Sequence, residues 1–107
     1  MITAEQVMAG VELAVKASQD KYNEIGGDRY ACGFAWVEVY VERTNSKEAK
    51  ELLKAGFRKD YKPKCLTMWD PAGVPTQSIS VKEAGADAYA TYLTALGLKA
   101  YGCSRLD

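Results

Sequence analysis

The chain has 107 residues, 48% hydrophobic and 26% charged, the proportions of an ordinary globular domain with a single core, and 1–107 reads as one domain. Its 14 basic residues balance 14 acidic ones, which excludes a global field drawing the whole molecule to nucleic acid or membrane. It contains no histidine, so the usual general base near neutral pH is missing.

The first predicted element is a helix. Thr3 and Gln6 have the spacing of a capping box, and Val7, Val11, Ala14, Ser18, Tyr22 and Ile25 follow in steps of three and four. Ser18 is polar, but small enough for a close contact. Gly26-Gly27 supply a left-handed stop, so the helix is expected over Ala4 to Glu24. The amphipathic start does not resemble a signal peptide, and no run reaches the ~18 apolar residues of a membrane span.

Tyr30 to Val41 is the first predicted strand, containing "CGFAWVEVYV". Period-two alternation puts Ala35, Val37, Val39 and Val41 on one face and Phe34, Trp36 and Tyr40, with Glu38 among them, on the other. The small aliphatic face reads as core. The aromatic face is either buried under the long first helix or left open as a sizeable apolar patch, and open patches of a few hundred Å² mark partner surfaces. Gly33-Phe34-Ala35-Trp36-Val37-Glu38 also resembles the middle of the octamer of RNA-recognition motifs. Cys32 replaces its basic residue and Val39 its final aromatic, and a helix rather than a strand precedes it.

A short basic helix follows in "TNSKEAKELLKAGF", with Asn45 and Glu48 as capping box and Gly56 as its end. Charge is concentrated here. From Arg43 to Lys64 the chain carries eight basic and three acidic residues, against three and seven before it. Arg43, Lys47, Lys50, Lys54, Arg58, Lys59, Lys62 and Lys64, interleaved with Phe57 and Tyr61, suit a single-stranded nucleic acid through phosphate contacts and stacking. The competing reading is a solvated face with local Lys47–Glu51 and Glu51–Lys54 pairs. Phe57 to Tyr61 reads as extended, Cys65 to Trp69 as a strand and "DPAG" as a turn, with Trp69 as an aromatic plug before it.

"TQSIS" either pairs as a short strand or leads directly into the next helix. Ser80 and Glu83 are the predicted cap of that helix, whose core face is Val81, Ala84, Ala88, Tyr89, Tyr92, Leu93 and Leu96. Gly85 permits a close backbone approach there. Lys99 to Ser104 is the last strand, and Arg105 is expected in a structural ion pair or on an anionic ligand. The order is α-β-α-β-α-β, which predicts an α/β (α+β) domain of about three strands in one sheet and about three helices, with the helices on one face.

Cys32, Cys65 and Cys103 lack Cys-x-x-Cys spacing, which argues against a secreted disulfide framework and for a cytoplasmic protein. They read as small core hydrophobes, with a three-thiolate metal site as the alternative. No phosphate-binding loop or nucleophile elbow is present, and no cofactor is implied.

The segments "ACGFAWV", "GFRKDY", "MWDP", "KEAGADAYA" and "SRLD" resemble a group of small uncharacterised tailed-bacteriophage proteins. That resemblance implies a viral accessory protein acting in an infected bacterial cytoplasm on host or viral partners, and it carries no assigned functional residues. The sequence thus predicts a non-enzymatic protein that binds a protein partner or itself through Phe34, Trp36, Tyr40 and Trp69. The alternatives are single-stranded nucleic-acid binding through the basic 43–64 segment, and a small nucleotide-binding protein or enzyme.

Overall fold

A computed structural model describes residues 2–26 and 31–107. The fold is α+β. Helices α1 (Ala4–Ala9) and α2 (Val11–Ile25) lead into strand β1 (Gly33–Tyr40), helix α3 (Lys47–Lys54), strands β2 (Arg58–Lys59) and β3 (Cys65–Trp69), helix α4 (Ile79–Ala95) and strand β4 (Lys99–Leu106). The strands form one antiparallel sheet in the order β2-β3-β1-β4. From β1 onward this is the split β-α-β-β-α-β arrangement, preceded by a helical pair. Among the described residues there are four strands where about three were expected, because β2 adds a two-residue edge to β3. Tyr30 and Gly27, read as strand start and helix stop, lie outside the described residues, while Gly26 takes the left-handed conformation at φ 78°.

The apolar alternation of β1 decides which face is core. Ala35, Val37 and Val39 pack with Leu66, Ala100, Val7, Ala14, Leu52, Phe57, Tyr89 and Leu93 in one cluster. Each fully buried aliphatic side chain there contributes about 1.5–3 kcal/mol. All the helices feed this side of the sheet, as expected.

The first helix is not continuous. It breaks at Gly10, where a side chain would run into the rings of Tyr92 and Tyr89. Those two tyrosines come from α4 and donate their hydroxyls to Gln6 O (2.6 Å) and Val7 O (2.8 Å), carbonyls in the last turn of α1. The two small residues singled out as close-contact positions meet each other: a Cβ on Gly85 would collide with Ser18 Oγ. Ser18 is buried and donates to Val81 O at 2.7 Å.

The caps differ by a residue or two from expectation. Ser46, not Asn45, accepts from Ala49 N at the start of α3. Helix α4 begins at Ile79 after Ser78, which first makes an isolated bridge with Cys32, so "TQSIS" both pairs and leads into the helix. Glu51 takes Lys54 at 3.1 Å rather than Lys47, and its other oxygen accepts from Ala4 N, tying α3 to α1.

The candidate binding face

Among the described residues, no helix covers the second face of the sheet. Strand pairing assembles it row by row. Trp36 stands between Trp69 on β3 and Cys103 on β4, Glu38 between Thr67 and Tyr101, and Tyr40 between Cys65 and Lys99. Phe34 lies opposite Arg105. The four predicted anchors Phe34, Trp36, Tyr40 and Trp69 are therefore on one surface. Trp69 is no plug: it is 51% exposed and stacked on Trp36, with ring centroids 4.7 Å apart and planes at 20°. Phe34 meets Trp69 edge-on at 6.1 Å, and Tyr40 meets Tyr101 edge-on at 5.9 Å.

Glu38, which the sequence showed as an isolated charge among aromatics, is the organiser of this face. Its residue is 5% exposed. One carboxylate oxygen accepts from Trp36 Nε1 (3.0 Å) and Lys62 Nζ (2.9 Å), the other from the Tyr40 hydroxyl (2.8 Å). Burial pushes its pKa up, but the three hydrogen bonds and the Lys62 charge outweigh burial and hold the carboxyl below its ordinary value. The same bonds push the Tyr40 hydroxyl up to about 12 and raise Lys62. Burial lifts the Cys65 thiol to about 11. Each of these groups is thus held in its resting protonation state, the opposite of the tuning towards neutrality that acid–base catalysis needs.

Glu38, Asp60 and Cys65 place one potential metal-ligand atom each within 4.8 Å of one another. The Lys62 ammonium already supplies a cation to Glu38 there, and a thiol near 11 is a poor metal ligand. The three cysteines do not converge. Cys65 and Cys103 flank β1 on opposite sides at rows four residues apart, about 13 Å along the strand. Cys32 is exposed at the start of β1, and all three are free thiols.

Arg105 makes no ion pair among the described residues. Its guanidinium sits 5.5 Å from the Phe34 ring centroid, and Lys82 Nζ is 5.3 Å from the same centroid while donating to Gly33 O at 2.9 Å. It therefore lies on the open sheet rather than in a closed pocket with a perturbed carboxylate.

The basic segment does not form one surface. Lys47, Lys50 and Lys54 ride on α3, and Arg43 is exposed in the loop before it. Arg58 stands opposite Thr67 on the aromatic face, whereas Lys59 pairs with Leu66 and so belongs to the other side. Lys62 is bound to Glu38, Tyr61 is 89% exposed in the β2–β3 hairpin, and Lys64 holds a left-handed φ of 59° just before β3. Sequence reasoning missed Tyr101, Lys99 and Arg105 as members of the face. Their signal was the period of two in "KAYGCSR", which places all three with Cys103 on one side.

Among the described residues no helix is long and apolar enough to cross a membrane. Comparison with family models, curated proteins and solved structures finds no match to this chain.

Proposed function

We propose that this is a non-enzymatic binding protein whose helix-free aromatic face docks a partner protein. The observation that carries the reading is the way the rings are used. Trp36 is covered by Trp69, Phe34 is capped by two cations, Tyr40 abuts Tyr101, and the polar tips of Trp36 and Tyr40 are held by Glu38. The rings therefore form a continuous, pre-ordered surface rather than separate stacking slots. Tyr, Trp and Arg are the residues that most often anchor protein interfaces, and pre-ordering lowers the entropy lost on binding. Arg58, Lys62, Lys99 and Arg105 ring that surface, so the matching partner has an apolar centre and an acidic rim. The resemblance to small bacteriophage proteins fits a host or viral protein in an infected bacterial cytoplasm.

The test is affinity capture from infected cells with the intact protein and with a Trp69→Ala/Tyr101→Ala variant, each with and without nuclease. Both side chains are about half exposed, so the variant keeps the fold. A protein retained by the parent, lost by the variant and indifferent to nuclease supports the reading. Capture unchanged by the variant refutes it.

One observation favours a second reading. The same cations share the face with aromatic rings on both central strands, which is how four-stranded sheets take up single-stranded nucleic acid. It predicts oligonucleotide affinity with a log–log salt slope of about −0.7 per phosphate contact. No retention of any oligonucleotide at ~50 mM salt, where such contacts are strong, rejects it.

A further inference from the structure

We propose that β4 is a dimerisation edge that pairs antiparallel with β4 of a second copy, about a two-fold axis through Cys103. This concerns the β4 edge of the sheet; its cross-axis pairs use Lys99, Tyr101 and Arg105 from the margin of the aromatic face, and it is read by oligomeric state rather than by partner capture.

The sheet has two edges, and they differ. β2 is two residues long and carries Arg58 and Lys59, the usual protection against pairing. β4 is eight residues long, Lys99–Leu106, with neither proline nor a bulge in its register with β1. Asp107 N donates to Cys32 O, which fixes the alternation. Odd-numbered residues of β4 turn their backbone groups to β1, and Ala100, Gly102, Ser104 and Leu106 turn theirs outward. Among the described residues, only the Thr94 hydroxyl reaches these outward groups, at 3.4 Å from Ala100 O, and a carbonyl has room for a second donor.

A symmetric antiparallel pair must match outward residues with outward residues, so the axis passes through a residue position. An axis through Gly102 sets Lys99 opposite the partner's Arg105, a repulsion. An axis through Ser104 sets Tyr101 against Asp107 and Cys103 against Arg105, pairs without a charge match. An axis through Cys103 sets Lys99 against Asp107, Tyr101 against Arg105 and Ala100 against Leu106: a charge pair, a cation–aromatic pair and an apolar pair, each occurring twice. Gly102 and Ser104 then exchange backbone hydrogen bonds. The opposing force is on the helix side, where Glu83 and Asp87 stand over Ser104 and Gly102 and approach their counterparts across the axis. The result is an eight-stranded sheet with both aromatic faces on the same side.

The register makes a covalent and a non-covalent prediction. Cys103 faces itself in a non-hydrogen-bonded pair, where Cα atoms are about 4.5 Å apart and within disulfide reach. In a Cys32→Ser background, mild oxidation is expected to give a disulfide-linked dimer that disappears with Cys103→Ser. Under reducing conditions, sedimentation equilibrium is expected to show dimers of the full chain. Lys99→Glu turns two attractive pairs repulsive and weakens association about tenfold, and Lys99→Glu/Asp107→Lys restores it. Both sites are exposed, so the fold survives the changes. A monomer at high micromolar concentration, or a dimer that ignores the charge reversal, overturns the proposal.

Discussion

Replacing Glu38 by Gln tests the organisation of the aromatic face directly. The substitution keeps shape and an acceptor oxygen but removes the charge that Trp36, Tyr40 and Lys62 all address. A neutral hydrogen bond contributes about 0.5–1.5 kcal/mol and one to a charged group about 1.5–3. Because Lys62 is 40% exposed, water replaces part of what is lost, and the expected cost of Glu38→Gln is about 1–2 kcal/mol at neutral pH. For a domain of this size that lowers Tm by roughly 4–8 °C per kcal/mol. The pH dependence has a definite sign. The folded carboxyl lies below its ordinary 4.5, so its stabilisation is complete above the unfolded value and fades as pH falls through the folded one. Tyr40 and Lys62 are raised, so their contributions persist at neutral pH and are lost in alkali, for Tyr40 between 10 and about 12. Urea unfolding at a series of pH values is the assay. The gap between parent and variant should be widest near neutrality and close in acid, with unchanged m-value. A Gln variant as stable as the parent at pH 7, or a deficit that persists undiminished at about pH 3 once carboxylates are protonated, refutes the argument.

Three further outcomes are expected. Gly85→Ala should destabilise by about 1–2 kcal/mol, because the clash with Ser18 exceeds the ~1 kcal/mol gain in helix propensity, and Ser18→Gly in the same chain should recover part of it in a double-mutant cycle. Tyr89→Phe should cost about 1 kcal/mol in denaturant unfolding by removing the buried hydroxyl bond to Val7 O. In maleimide labelling Cys32 should react first, and Cys65, buried with its thiol at about 11, should react only after unfolding.

Much of the fold was legible because it rests on local periodicity. The alternation in "CGFAWVEVYV" separated the two faces of β1 correctly, and Cys65–Trp69 has the bounds read from composition. What failed depended on residues far apart in sequence. Gly10 breaks a helix whose apolar spacing is unbroken, because two tyrosines about eighty positions away need the space. The basic segment was continuous in sequence but not in space, since a helix, an edge strand and a hairpin divide it. Arg105 could not be read as a stacking cation without the β1–β4 register that sets it against Phe34.

Glu38 is what orders the open face. An uncovered sheet face with three aromatic side chains in one strand would ordinarily shed them into any apolar contact, including aggregation. Here a carboxylate placed between Trp36 and Tyr40 fixes both by their polar tips, and Lys62 brings the hairpin down to neutralise it. The rings are thereby held edge-on or stacked against one another, with Trp69 and Tyr101 as the half-exposed outer members. A burial-only design would have substituted an aliphatic residue for Glu38 and lost the orientation of both neighbours. The charge costs desolvation, and three directed hydrogen bonds offset that cost with a defined geometry. Geometry of that kind serves recognition more than stability. On this reasoning Glu38→Leu, which restores apolar burial without direction, should keep the domain folded while weakening partner capture as much as Trp69→Ala does.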